Sequence, residues 1–389
     1  MGLYNFFCRT FQTGMKFGAM FLPWHEPQLL HSVEELAQHA KARKISHILV
    51  VTDAGVMRLG LADGLLQALK EQNILAAVYD RTQPNPTIEN VEEARKLYLK
   101  HSCQGIIGFG GGSPMDCAKL VGARIARPRK SIAKMRGLFK VLKKLPPVFC
   151  VPTTAGTGSE TTIAAVAVDE TTHEKFAVMD PTCLCPPVAA LDPKLTASLP
   201  PHLTATTGMD ALTHAVEAYI GRSNTKRTKT KALEATKLIF TNLETAYQDG
   251  ENLIARENMM LASYSAGIAF TRAYVGNVHA IAHALGAFYN VPHGFANAII
   301  MPYVLDFYGE TIKDKLADLA QAAGISGNFV AAIRGMNERM GIPAAFDCIK
   351  EEDIPALVAH ALKEANPLYP VPVIMKKEDC AALIRQVMA

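Results

Sequence analysis

The chain has 389 residues, 49% of them hydrophobic and 20% charged. It is too apolar to be disordered and, at roughly 100–200 residues per domain, long enough for two cores. Its 40 Lys and Arg against 36 Asp and Glu leave +4, too small an excess to make nucleic acid the expected partner.

Eight cysteines lie at 8, 103, 117, 150, 183, 185, 348 and 380, mostly isolated in apolar surroundings. That pattern predicts reduced, buried thiols rather than a disulfide framework, and the single Cys183-x-Cys185 is a poor zinc signal. No run of about 18 apolar residues occurs, so neither a membrane span nor a membrane partner is expected. The first 21 residues are interrupted by Arg9, Gln12 and Lys16 and do not read as a signal peptide, and Phe6 breaks the myristoylation pattern. The expected location is the cytoplasm.

In chain order, HILVVTD (47–53) predicts a strand, LADGLLQALKEQN (61–73) a helix, ILAAVYD (74–80) a strand and NVEEARKLYLKHS (90–102) a helix. GIIGFGGG (105–112) predicts a strand running into a helix from Met115, and PPVFCVPTT (146–154) a further strand. Such alternation is the mark of a parallel sheet covered on both faces. Beyond LDPKLTASLPP (191–201) helical spacing takes over, at 207–220, 226–249, 252–271, 276–288 and 311–323. The expectation is an α/β domain over 1–197 and an all-α domain over 198–389. Residues 126–144 carry eight Lys and Arg and no acid. They read as a solvated surface helix and loop with a core-facing stripe of Ile132, Met135, Leu138, Phe139 and Leu142, in preference to a membrane-touching helix.

Two loops follow predicted strands. In GFGGGSPMDCAK (108–119), Gly110, Gly111 and Gly112 let the backbone approach a bulky anion. Ser113 is expected at the helix start with Pro114 just inside, so that free N–H groups face a diphosphate. In VPTTAGTGSETT (151–162), six hydroxyls, among them Thr153, Thr154 and Thr157, offer neutral partners to a ribose, a nicotinamide amide or phosphate oxygens. Both loops are expected at the carboxyl ends of strands. Asp53, ending its strand, could accept from ribose hydroxyls and repel a 2′-phosphate, which favours NAD over NADP, or it could simply cap a helix.

The third constellation is GMDALTHAVEAY and GNVHAIAHALGAFYNVPHG. Asp210 and His214 lie four residues apart, as do His279 and His283, so each pair shares a helix face; His293 follows closely. A carboxylate and several imidazoles gathered in apolar helices suit a divalent ion such as Fe²⁺ or Zn²⁺, because unpaired burial would be costly.

Together GGGSPMDCAK, PTTAGTGSET, GMDALTHAVEAY and HAIAHALGAFYNVPHGFANAIIMP resemble the iron-containing (group III) alcohol dehydrogenase family, from about residue 5 onward. The resemblance implies a dinucleotide-binding α/β domain followed by a helical metal-binding domain, an architecture shared with dehydroquinate synthase, with the site in a cleft. It implies metal ligands at Asp210, His214, His279 and His293, with His283 beside the nicotinamide. It implies cofactor contacts at Asp53, Gly110, Gly111, Gly112, Ser113, Asp116, Thr153, Thr154, Thr157 and, in HEKFAV, Lys175. Two departures stand out: the strongly basic 126–144, and Ala164 where many members have Asn. The implied reaction is reversible hydride transfer between a short primary alcohol or diol and NAD⁺, with the metal as Lewis acid and His283 relaying the proton, in a homodimer or larger assembly. A dehydroquinate-synthase-type lyase would need Lys and Arg around the metal, whereas Ala284, Gly286, Phe288 and Tyr289 are expected there. A non-catalytic metal-binding protein that retains NAD affinity is the other alternative.

Overall fold

Two compact units make up the chain, Leu22–Ala197 and Ser198–Ala389, the latter joined by the segment up to Phe21. The computed structural model describes residues 2–172 and 174–389. Helix α1 (Leu3–Ala19) comes first. Then follow β1 (Gln28–Leu30), α2 (Val33–Ala42), β2 (His47–Val51), α3 (Ala54–Arg58), α4 (Asp63–Glu71), β3 (Leu75–Tyr79) and α5 (Ile88–Lys100). Next are β4 (Gly105–Gly110), α6 (Gly112–Ala126), β5 (Gly137–Leu138), β6 (Val148–Pro152), β7 (Ala164–Asp169), β8 (Glu174–Met179), β9 (Val188–Ala190) and α7 (Lys194–Ala197).

Among the described residues, six strands form one parallel sheet in the order β1-β9-β6-β4-β2-β3. Its central strands β4 and β6 are buried at every residue because both faces are covered there. Leu49, Val51 and Ile106 enter one core, while Ile48, Val50, Ile107 and Phe109 enter the other. The chain steps from β2 out to β3 and returns on the far side of β2 as β4. Open α/β sheets bind ligands outside the carboxyl ends of the strands at such a reversal, here between β2 and β4.

A smaller sheet, β5-β8-β7, takes up the basic segment. The expected amphipathic helix does not form there. Residues 126–144 contain a 3-10 turn at Ala133–Met135 and strand β5, with Phe139 and Leu142 at positive φ. Ile132 and Met135 are buried as expected, and Leu142 is exposed. The cations fasten the loop: Arg127 Nε donates to Val141 O (2.5 Å) and Lys130 Nζ to Lys140 O (2.6 Å), while Arg136 pairs with Glu174. Asp180 accepts from the backbone N–H groups of Val141 and Leu142.

The second unit is helical: α8 (Pro201–Ile220), α9 (Lys226–Gln248), α10 (Leu253–Ala273), α11 (Asn277–Tyr289), α12 (His293–Tyr308), α13 (Lys313–Ala323), α14 (Phe329–Arg339), α15 (Ile354–Ala365) and α16 (Lys377–Gln386). Helix α8 is buried along most of its length and packs against α9, α10 and α12. It begins six residues before the predicted start, with Pro201 in the first turn, where a missing N–H costs nothing. Helix α1 belongs to this unit and not to the α/β unit, which corrects the expectation of a domain over 1–197. The reason is polar: Arg9 donates to the carbonyls of Val371 (2.6 Å) and Pro372 (2.8 Å), and Gln12 to that of Tyr369 (2.7 Å). Among the described residues no helix is long and apolar enough to cross a membrane.

Candidate active site

In the α/β unit the two polar loops meet at the sheet's reversal point. Gly110 has φ +144°, and a Cβ there would lie 2.7 Å from Pro114 Cγ, so no other residue fits without strain. Helix α6 starts at Gly112, one residue earlier than expected, and Gly111 precedes it without a side-chain cap. The first N–H groups of α6 therefore have no side chain covering them, the arrangement that accepts an anion. Ser113 lies inside the helix and not at its cap; its hydroxyl accepts from Asn85 N (3.1 Å).

Thr153 N–H donates to Gly110 O (3.0 Å), while Gly111 and Gly112 lie against Thr154 and Thr157. Asp53 caps α3, its Oδ1 accepting from Gly55 N (2.8 Å) and Val56 N (2.9 Å), while Oδ2 faces Gly110. The capping and ribose readings thus use different oxygens of one carboxylate. Lys175 is exposed on β8 opposite Val168; His173, which opens its motif, lies outside the described residues.

Asp116 faces inward. Its Oδ1 accepts from Ser159 Oγ (2.6 Å) and its Oδ2 from Val166 N (3.0 Å). It orders the second loop from behind. Burial raises its pKa, opposed by Lys119, Ser159, the Val166 N–H and Lys175. Lys119 was missed. Its fully buried ammonium donates to Ser159 O (2.5 Å), Ser159 Oγ (3.0 Å), Thr162 Oγ1 (2.9 Å) and Ala164 O (2.9 Å). The only sequence signal was its spacing three residues after Asp116, one turn along α6.

In the helical unit, Asp210, His214, His279 and His293 each bring one ligand atom within 4.8 Å of the others. Helix α8 supplies Asp210 and His214, α11 supplies His279, and α12 begins at His293. Gly294 makes the approach of α12 feasible, since a Cβ there would lie 2.3 Å from Thr206 O on α8. Phe270 stacks on His214 with ring centroids 4.0 Å apart, and His214 stacks on His279 at 4.5 Å.

Three supporting residues escaped the sequence reading. Glu217, three residues after His214 on the same face of α8, accepts from Gly276 N (2.7 Å), Val278 N (2.8 Å) and His279 Nδ1 (2.6 Å). With Nδ1–H donated, the Nε2 lone pair of His279 turns toward Asp210. Burial pushes Glu217 up to about 7, against those backbone N–H groups. Burial and then the neighbouring His214, His293 and His283 hold His279 well below the usual imidazole range, so its ring is neutral. Asn297, one turn after His293, puts Nδ2 2.7 Å from Asp210 Oδ1, 3.3 Å from His279 Nε2 and 3.2 Å from His293 Nε2. Three ligand atoms thus surround one amide nitrogen. This donor set, one carboxylate oxygen and three imidazole nitrogens, fits a divalent ion.

The third is Glu364 on α15. His283 Nδ1–H donates to Glu364 Oε1 (2.6 Å), which also accepts from Tyr369 OH (2.6 Å). Burial raises the Glu364 pKa, but His283, Tyr369 and His360 together outweigh it and hold the carboxyl below its ordinary value. Its 81-residue separation from His283 left no local signal. Phe288 and Tyr289 do not surround the histidines as expected: Phe288 packs on His360, and Tyr289 OH donates to Asp353 (2.7 Å).

Known proteins share this plan. The profile described as iron-containing alcohol dehydrogenase matches residues 29–193, and that described as Fe-containing alcohol dehydrogenase family, C-terminal, matches residues 204–388. Alcohol dehydrogenase 4 of Schizosaccharomyces pombe is 36% identical over 93% of this chain and 88% of its own length. The chain belongs to the iron-containing alcohol dehydrogenase family. It is an oxidoreductase of alcohols or aldehydes. The solved 1,3-propanediol oxidoreductase superposes with a TM-score of 0.90 at 35% identity, covering 95% of this chain and all of that one. Sulfoacetaldehyde reductase from Bifidobacterium kashiwanohense, solved in complex with NAD⁺, superposes with a TM-score of 0.86 at 27% identity, covering 95% of this chain and 99% of that one.

Proposed function

We propose that the protein is a metal-dependent, NAD(H)-linked alcohol dehydrogenase or aldehyde reductase acting reversibly on a short primary alcohol or diol. The observation that carries this reading is the convergence of Asp210, His214, His279 and His293 on one point. When bound, Fe²⁺ or Zn²⁺ supplies Lewis acidity at those four donors, and the nicotinamide supplies the hydride acceptor. The chain's own residues do the rest. Gly110 to Gly112 and the start of α6 bind the diphosphate, the hydroxyls of Thr153, Thr154 and Thr157 orient the cofactor, and Lys175 reaches its ribose. Asp53 Oδ2 accepts from the adenine-ribose hydroxyls and repels a 2′-phosphate, which sets NAD over NADP. Glu217 holds His279 in the tautomer that presents Nε2. His283 takes the alcohol proton at Nε2, with Glu364 holding Nδ1–H and stabilising the imidazolium that results.

The test mixes anaerobically metal-loaded protein with NAD⁺ and a panel from ethanol to 1,3-propanediol, and runs the aldehydes with NADH in reverse. The expected outcome is a change in NADH absorbance in both directions, and a lower rate with NADP⁺. No signal with any alcohol or aldehyde overturns the reading.

A further inference from the structure

Helix α1 is amphipathic in the reverse sense. Its polar residues Arg9 and Gln12 face the helical unit and bond to carbonyls of residues 367–372. Its apolar residues face outward: Leu3 is 86% exposed, Phe6 62%, Phe7 55% and Phe17 63%, with Met20 and Phe21 just beyond at 71% and 74%. No acidic residue occurs between 2 and 25. Aromatic side chains of this size bury about 150–250 Å² each, so the face exceeds the few hundred Å² that an unpartnered surface ordinarily leaves open.

A second, independent observation concerns charge. At the carboxyl end of α1, Lys16 Nζ donates to Arg222 O (3.0 Å), and Lys315 Nζ donates to the neighbouring Ile220 O (2.5 Å). Lys229 lies over the Tyr219 ring, 5.9 Å from its centroid. Burial and then Lys229, Arg222 and Lys16 lower the Lys315 pKa, as a corner crowded with cations requires. The acids nearby are engaged, Asp318 with Tyr219 OH (2.6 Å) and Glu234 with Lys231 (2.7 Å). Residues 221–231 contain five Lys and Arg and no acid. A second copy meeting α1 with its own α1, in a two-fold contact, would bring an equally acid-free face and leave the cations unmatched. An anionic bilayer answers both features, taking aromatic side chains into the headgroup boundary while its phosphates meet the cations.

We propose that α1 and the cationic corner of Lys16, Arg222, Lys229 and Lys315 form a docking face for the surface of an anionic lipid bilayer. Attachment is peripheral and reverses the sequence-based expectation of no membrane partner. It stands independently of the dehydrogenase reading.

The full chain should be floated on a density gradient with vesicles of phosphatidylcholine alone or with 30% phosphatidylglycerol. Co-flotation with the anionic vesicles is expected, falling at least tenfold in 0.5 M NaCl or with neutral vesicles. The double variants Phe6→Ser/Phe7→Ser and Lys16→Glu/Lys229→Glu should each reduce it at least tenfold with unchanged circular dichroism. Each cation removed should cost roughly fivefold in binding. Failure of the wild-type chain to float with anionic vesicles overturns the proposal. So does equal binding to neutral vesicles regardless of salt. A non-floating dimer that Phe6→Ser/Phe7→Ser converts to monomer would show instead that the face serves a second copy.

Discussion

The half-buried Glu364 and the fully buried Glu160 are carboxyls displaced to opposite sides of their ordinary pKa. Glu364 is held down because His283 and Tyr369 donate to it. Glu364→Gln keeps the shape but removes the charge that stabilises an imidazolium at His283. Steady-state kinetics should show kcat reduced roughly tenfold to a hundredfold with little change in KM for NAD⁺, and Glu364→Asp should recover part of the loss. An unchanged kcat would remove Glu364 from the proton path. Glu160 is pushed up to about 7, chiefly by burial, partly opposed by its own backbone N–H and by Lys119. Its folded pKa exceeds the ordinary 4.5, so the native state holds the extra proton and stability falls as pH rises from below 4.5 through 7. Glu160→Gln should therefore melt above the wild type at pH 8, by about 2–4 °C per kcal/mol recovered, with the gap closing at pH 4.5. A gap independent of pH would refute the assignment. At this scale residue type and i,i+4 spacing, which are local properties, already singled out Asp210 with His214, His279, His283 and His293, and the family resemblance set His283 apart from the ligands. It did not single out Glu364, whose role depends on a partner 81 residues away.

The second polar loop and α6, to which the proposed function assigns the cofactor, are tied by a single ammonium. Lys119 reaches Ser159, Thr162 and Ala164 at once, and Asp116 reaches Ser159 and Val166. Lys119→Met should lower stability by about 3–5 kcal/mol, because it leaves a carboxylate and several carbonyls buried without their donor. Urea denaturation would measure that loss, and dinucleotide titration should show weaker binding from the loosened loop. Retained stability would mean that water replaces the ammonium. The alternation of strands and helices around this element was legible, since a sheet covered on both faces demands continuous apolar runs. The fate of residues 126–144 was not. Counting cations cannot tell a solvated helix face from a loop whose carbonyls are bound by Arg127 and Lys130.

For the whole molecule, metal and dinucleotide should stabilise through binding to the native state alone. Melting of the chelator-treated protein should rise when Fe²⁺ or Zn²⁺ is added, by about 2.7 kcal/mol of stability at a free ion concentration one hundred times Kd. His214→Ala should abolish most of that rise, and an equal rise in the variant would place the ion elsewhere. The sequence by itself determined the fold class and the division of chemistry between an α/β and a helical part, and it gathered Asp210, His214, His279, His283 and His293 as candidate donors. These follow from periodicity and from spacing within single helices, which neighbours along the chain settle. Tertiary structure decided which unit holds α1, through bonds from Arg9 to carbonyls 362 and 363 residues away. It also decided that Glu217 orients His279 across 62 residues and that Asp116 braces the second loop through Ser159. Such contacts are set by which faces pack together once apolar surface is buried, and a one-dimensional pattern does not carry that information.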